Sequence, residues 1–358
     1  VIDLCGGMNC LALGLKKRGQ GNKISRYISV ENNERARKVA QAANPKTDEF
    51  CGIDHEWCND VWQIQEAHIA ALGRNRIGML GCGPNCQDFS RMRFLPDRQG
   101  NLPKKGKDPR PGLNGPKGKI FRKCVQIFRW IMKYNPKCKY LFENVVFDDM
   151  PDWHQVNRWL GKPLVIQARY YSHSSRLRAW WTNLPLPDEE LPKPRLKDPN
   201  KCLDPGRTLV MKWSKYSGYD SPGTIGAKWI GSDNHPKADT NRPVLVYDVK
   251  YKLKQHLRSH EIELLLGHEK DVTKHPSVTN KDRNQCLGNG WDMNVVDQLL
   301  KDLDLGAAQK VRRIRRRPFR KAYMARGMGS KRMRDFDFVH DALGHPSPTT
   351  MEIIQKMN

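Results

Sequence analysis

Short apolar runs recur along the first part of the chain, each followed by a stretch with helical spacing. VIDLC opens it, a helix runs through Lys17, RYISVE follows, and a second helix covers Asn33 to Ala43. Apolar runs of this length alternating with helices predict βαβ units, because a strand buried on both faces carries no polar side and its parallel neighbour is reached by a crossover. Further on, the strand RIGMLGC is expected to end at Cys86, a helix spans Ile120 to Tyr134, and the strand KYLFENV ends at Asn144. The pattern predicts an α/β fold built on a doubly wound, Rossmann-like parallel sheet.

Two stretches break the rhythm. Residues 91–119 are rich in Gly, Pro, Lys and Arg, a composition that suits a long loop and not a core element. Residues 187–250 mix Pro, Gly, Asp, Lys and Trp with weak periodicity and read as an irregular insertion. Helical spacing resumes at His256 to Leu266 and at Met293 to Leu303. The expected organisation is therefore a core over 1–186, the insertion over 187–250, the C-terminal part of the core over 251–305, a basic linker over 306–334 and a new compositional regime over 335–358. Val1 already reads as part of a strand, which suggests a segment of a longer polypeptide.

Charge narrows the classes of function. The chain has 358 residues with 63 Lys plus Arg against 38 Asp plus Glu, a formal net charge of +25. An excess of that size attracts polyanions, and nucleic acid is the natural partner. Twelve of those cations and no acid lie between Lys310 and Arg334. No run of about eighteen uncharged apolar residues is present to span a bilayer as a helix. Ten cysteines occur without a C-x-x-C pair, which disfavours a zinc ribbon or a disulfide scaffold and fits a reducing, intracellular setting.

Within this frame a few residues are candidates for chemistry. CGGMN after the first strand is a glycine-bearing turn into a helix, where backbone N–H groups can approach a cofactor; a plain tight turn is the alternative. Glu31 ends the next strand, placed to accept hydrogen bonds from a ribose or, more simply, to serve as a helix N-terminal acid. In GCGPNCQDFS, Cys86 is a candidate nucleophile flanked by Gly and Pro that hold the backbone in a bend; a buried, inert thiol is the commoner fate. Glu143 and Asn144 end KYLFENV at the sheet edge where open α/β sheets bind ligands, or are an ordinary strand-end polar pair.

Taken in order, these segments resemble the motifs of the cytosine-5 DNA methyltransferases, and most closely the animal de novo branch. DLCGGMN resembles the cofactor loop, YISVEN the ribose-binding acid, and NDV at Asn59 to Val61 the segment that meets the adenine. GPNCQDFS resembles the catalytic loop, LFENV the base-binding carboxylate, and LGNGWDMNVV the closing motif that returns to the cofactor. PGLNGPKGKIF and ARYYSHSSRLRAWWTNLP are similar to the lid and to the R-x-R segment of that branch. The likeness covers about Val1 to Leu303.

The resemblance implies a class I S-adenosylmethionine-dependent methyltransferase fold with a small target-recognition insertion over 187–250. It implies that Cys5, Gly6, Gly7, Met8, Asn9, Glu31, Asn32, Asp60, Val61, Gly83, Asn289, Gly290 and Trp291 hold S-adenosylmethionine. Cys86 would add to carbon 6 of a cytosine flipped out of duplex DNA, and Glu143 would favour protonation of the ring nitrogen. Asn144 would orient that carboxylate, and Arg176 and Arg178 would hold the pyrimidine and nearby phosphates. No metal is implied.

The chain departs from the family pattern at three places. Asn85 stands where Pro directly precedes the nucleophile, Ser175 stands where Gln or His precedes R-x-R, and Asp292 replaces a small hydroxyl residue. These departures keep open a catalytically silent DNA-binding module and an RNA cytosine-5 methyltransferase. RRIRRRPFRK reads as a phosphate-contacting or nuclear-import tract, which points to a nuclear protein. LGHPSPTTM, with His340 and His345, resembles the start of the zinc-binding region that precedes a copia-type retroelement integrase. The two cysteines such a site needs do not follow before Asn358. Target sequence and oligomeric state stay open.

Overall fold

The computed structural model describes residues 1–44, 53–54, 57–90, 110–147, 149–185, 197–211 and 244–306. A central sheet joins β1 (Ile2–Leu4), β2 (Tyr27–Val30), β3 (Ile53–Asp54), β4 (Met79–Cys82), β5 (Lys139–Asn144), β6 (Leu164–Gln167) and β7 (Leu177–Thr182). Their order is β3-β2-β1-β4-β5-β7-β6. Only β7 runs against the rest, pairing antiparallel with both β5 and β6. The chain leaves β1 toward β2 on one side and β4 toward β5 on the other, so the switch point lies between β1 and β4. In open α/β sheets such a switch point is where ligands bind, at the carboxyl ends of the strands.

The period of two along each strand sorts side chains into two cores. Ile2, Leu4, Ile28, Val30, Leu80, Cys82 and Phe142 face one side. They pack under α3 (Glu66–Ala71), α4 (Pro116–Tyr134) and α5 (Met150–Leu160). Tyr27, Met79, Leu141 and Trp180 face the other, under α1 (Cys10–Lys17), α2 (Glu34–Ala43), α6 (Ser259–Leu265), α7 (Asn280–Asn289) and α8 (Met293–Leu299).

Local sequence explains where the helices begin. Asn33 accepts from the Arg35 and Ala36 amides at the start of α2, and Asp149 accepts from the Asp152 amide at the start of α5. Gly161, at φ 84°, closes α5 in a conformation that disfavours side chains.

Beyond the core, β8 (Arg207–Met211), β9 (Val244–Asp248) and β10 (Leu253–Gln255) form a separate antiparallel sheet. This sheet occupies part of the expected insertion and continues past residue 250 to Gln255, because β10 pairs with β9. It is clamped to α6 by the buried Arg207 guanidinium, which donates to Glu261 at 2.7 Å and to Asp248 at 3.0 Å. Asp204, His260 and Glu261 bring potential metal-ligand atoms within 4.8 Å of one another. Arg207 and Arg258 already occupy those carboxylates, so the group is an ion-pair cluster. The basic tract over 310–334 and the pair His340 and His345 lie outside the described residues, as do residues 91–109 of the expected loop.

Candidate active site at the carboxyl edge of the sheet

The turn between β1 and α1 is built from unusual backbone. Cys5, Gly7 and Asn9 all have φ between 54° and 59°. For Cys5 and Asn9 this left-handed geometry costs on the order of 1 kcal/mol or more each, and such outliers cluster at ligand sites. Gly6 has no room for a side chain, since a Cβ there would lie 2.7 Å from Asn9 Oδ1. Glu31, just past β2, accepts from the Gly7 amide at 3.0 Å and from the Asn33 amide at 2.9 Å. Its carboxylate thus spans the turn and keeps lone pairs for a hydroxyl-bearing ligand. Asp60, after β3, accepts from the Trp62 amide, and Val61 beside it is buried.

The end of β4 completes the cradle. A Cβ on Gly83 would meet Trp291 Nε1 at 2.9 Å, so that indole packs directly over the Gly83 backbone. Trp291 also stands edge to face with Trp180 at 5.3 Å, and its amide donates to Cys10 Sγ at 3.4 Å. Gly290 precedes it, while Asn289 ends α7 with its side chain exposed. The expected cofactor positions Cys5 to Asn9, Glu31, Asn32, Asp60, Val61, Gly83 and Asn289 to Trp291 all come from the carboxyl side of β1 to β4 or from the α7–α8 turn packed on it. Beneath the turn lies Asp3, which the sequence reading did not single out. Its carboxyl is buried and accepts from the Tyr27 hydroxyl at 2.7 Å. Burial raises its pKa to about 7, with that hydrogen bond working in the opposite direction.

Cys86 does not end a strand: β4 stops at Cys82 and the thiol rides on a turn four positions beyond. Its carbonyl accepts from the amides of Phe89 and Ser90 at 3.0 and 2.9 Å, which closes one helical turn. The turn is fixed at both ends. Upstream, Asn144 Nδ2 donates to the Pro84 carbonyl at 2.9 Å. Downstream, the buried Asp88 accepts from the Lys117 and Gly118 amides at 2.7 and 3.0 Å, and Phe89 stacks on Phe147 at 4.2 Å. Burial pushes the Cys10 thiol up to about 12 and the Cys82 thiol to about 11. Cys86 itself is half-buried.

Glu143 lies beside this turn on the strand next to β4. Arg178 Nε meets its carboxylate at 2.9 Å, with both side chains largely shielded from water. Arg176 is more deeply buried and donates to the carbonyls of Gly288 and Gly290 at 3.2 and 2.8 Å. Burial, then the nearby Arg178, lowers its pKa to about 10, and its field reaches Glu143, Cys86 and Asp292.

Asn144 tethers the thiol-bearing turn, while Arg178 is the group that holds Glu143. Arg176 ties the start of β7 to the α7–α8 turn and leaves Nε without a hydrogen-bond partner among the described residues. Asp292, one of the departures, caps α8 through the Asn294 and Val295 amides and accepts from Ser174; burial raises its pKa to about 6.

Asp88, Gln167 and Trp180 also shape the site without having been singled out. Gln167 Oε1 accepts from the Arg176 amide at 2.6 Å. Nothing in their local sequence marks them, because each acts on a residue far away in the chain or across the sheet.

No family model matches the sequence. Among solved structures, the chain is similar to the Dnmt2 methyltransferase of S. pombe, with a TM-score of 0.52 and 15% identity over 84% of this chain and 98% of that one. The Entamoeba histolytica methyltransferase EhMeth matches with the same TM-score and identity over 84% and 96%. An E. coli prophage-encoded protein, described as a DNA modification methyltransferase, matches with a TM-score of 0.50 and 14% identity over 84% and 97%. The shared fold is that of the class I S-adenosylmethionine-dependent methyltransferases, a mixed α/β architecture on a mostly parallel sheet.

Proposed function

We propose that this chain is a DNA cytosine-5 methyltransferase in which Cys86 is the nucleophile and Glu143 the base-binding carboxylate. The observation that carries the reading is the joint placement of these two groups. Glu143 ends β5 paired to Arg178, and its chain neighbour Asn144 tethers the turn that presents Cys86. A half-exposed thiol on the turn after β4 and a shielded carboxylate at the end of the neighbouring β5 suit attack on a polarised ring.

Addition of the Cys86 sulfur to carbon 6 forms the S–C bond and shifts the ring electrons toward carbon 5, while Glu143 supports protonation at the ring nitrogen. Arg178 fixes the orientation of Glu143. Once carbon 5 carries the new methyl group, loss of its proton to solvent and expulsion of the Cys86 thiolate restore the aromatic ring. Such chemistry needs the base out of the helical stack.

The residues around the β1–α1 turn fit a nucleoside cofactor. The left-handed turn leaves no room at Gly6, and Glu31 offers a carboxylate beside it. We assign S-adenosylmethionine to this cradle, with Cys5 to Asn9 on the main-chain side, Glu31 toward the ribose, Asp60 and Val61 toward the adenine and Trp291 over Gly83. When bound, it supplies an electrophilic methyl group for carbon 5. Duplex DNA as partner rests on the charge of +25 and on the sequence resemblance. A nuclear location, and an origin within a retroelement polyprotein, rest on the basic tract and on the resemblance of LGHPSPTTM.

Transfer of tritium from labelled cofactor to duplex DNA tests the reading. Cys86→Ala is expected to lose at least roughly 10³-fold in rate. Equal incorporation by Cys86→Ala and wild type would remove Cys86 from the mechanism. A clear preference for tRNA in competition with duplex DNA would move the assignment to RNA, and no incorporation into either by the wild type would favour the silent module.

A further inference from the structure

We propose that Asn85 is a positioning residue that caps the helical turn carrying Cys86. The proposal rests on the reading of Cys86 as the nucleophile. Asn85 Oδ1 accepts from the Gln87 amide at 2.9 Å, which places the side chain across the residue that bears the thiol. The turn beginning at Cys86 is a single one, and the amides of a first turn lie outside the i→i−4 ladder of a helix. An asparagine side chain is among the best groups for satisfying such an amide.

The surroundings make this bond matter. Pro84 is held by Asn144, and Asp88 is held by the first turn of α4. Residues 85–87 bridge those two anchors and present the sulfur. In that bridge, the Asn85 cap fixes the direction in which the chain enters the turn, and so the direction of the Cα–Cβ bond of Cys86. A proline before the thiol would fix the same entry by restraining φ of its own residue, but would offer no acceptor to the Gln87 amide. In this chain a side-chain hydrogen bond performs that restraint.

A series at position 85 separates positioning from simple folding. Asn85→Ala removes the acceptor, Asn85→Ser keeps a neutral one, and Asn85→Asp keeps one with a negative charge beside the thiol. We expect Asn85→Ala to lower kcat about fivefold with KM for duplex DNA unchanged. Asn85→Ser should restore most of that loss. Asn85→Asp should move the rising limb of the kcat–pH profile to higher pH, because a nearby negative charge disfavours the thiolate.

A second readout needs no turnover. The rate at which iodoacetamide alkylates Cys86, followed by peptide mass in the intact chain, should fall severalfold in Asn85→Asp at pH 7 and stay near wild type in Asn85→Ser. Unchanged kcat in Asn85→Ala, or equal impairment of Asn85→Ala and Asn85→Ser, would overturn the role of Asn85 while leaving the Cys86→Ala result intact. Should wild type prove inactive, equal alkylation rates across the series would overturn it as well.

Discussion

Asp3 is a carboxyl placed where a strand should be apolar, and its titration has a definite sign. Its folded pKa, near 7, lies above the ordinary value of 3.8 because burial disfavours the ionised form. The folded state therefore holds a proton that the unfolded chain has released between about pH 4 and 7. Stability contributed by the neutral form is lost as pH rises through that window. Asp3→Asn keeps an acceptor for Tyr27 and removes the titration. Denaturant unfolding between pH 5 and 8 is expected to show a smaller fall for Asp3→Asn than for wild type, by on the order of 2 kcal/mol. Identical pH profiles would mean that Asp3 ionises freely in the fold.

The same residue shows how far sequence reading reaches at this scale. Asp3 sits within VIDLC, one strand position from the cofactor turn, and an acid inside an apolar run is a visible signal. Asp88 and Gln167 give no such signal. Asp88 acquires its role only when α4, some thirty residues later, brings its first amides to the carboxylate. Arg176 and Arg178 were legible as a pair. Their division of labour was not, because it depends on what the fold brings near: Arg178, within β7, meets Glu143 on β5, while Arg176, just before β7, is buried against the α7–α8 turn.

Among the elements, α4 and the second sheet depend on contacts from outside themselves. The first turn of α4 carries Lys117 and Lys119 and no acid, an unfavourable arrangement against the helix dipole. Asp88 supplies the missing charge from the turn that carries Cys86. Gly115 and Gly118 admit this packing, since a Cβ on them would lie 2.2 Å from Asp88 Oδ2 and 1.9 Å from the Gly112 carbonyl oxygen. Asp88→Ala is expected to cost about 2 kcal/mol in chemical denaturation and to lower methyl transfer as well. A loss of stability with full activity would show that the Cys86 turn does not rely on α4.

In the second sheet, Arg207 and Glu261 are each almost fully buried, with side chains 1% and 0% exposed. Glu261→Ala would leave the guanidinium short of a buried partner and should destabilise by about 3–5 kcal/mol, read as a drop in Tm. A Tm within a degree of wild type would refute this account of the clamp. Helix α5 has legible caps in Asp149 and Gly161, and α7 has Thr279 with Asp282, yet neither stood out as a helix in the periodicity. Both carry polar residues at positions where a surface helix is usually apolar, since each packs along a narrow stripe. The pairing of β10 with β9 across residues 249–252 was equally hidden, because a strand of three residues is too short to show a period of two.

For the whole molecule, the +25 charge predicts salt-sensitive binding to nucleic acid. The tract from Lys310 to Arg334 holds twelve of the cations, so deleting residues 310–334 should flatten the plot of log affinity against log salt. Each phosphate contact removed lowers the slope by about 0.9 on duplex DNA. An unchanged slope would place the binding charge in the folded body.

The sequence by itself determined the βαβ order, the turn after the first strand, the thiol, the strand-end carboxylate and the charge. All of these are written in local pattern or in composition, where the physics acts between near neighbours. Only the tertiary structure decided that β7 inserts antiparallel between β5 and β6, that Asn144 holds Pro84 and Arg178 holds Glu143, and that Trp291 covers Gly83. Those contacts join segments tens to hundreds of residues apart, and their geometry exists only after the two cores have closed on the sheet.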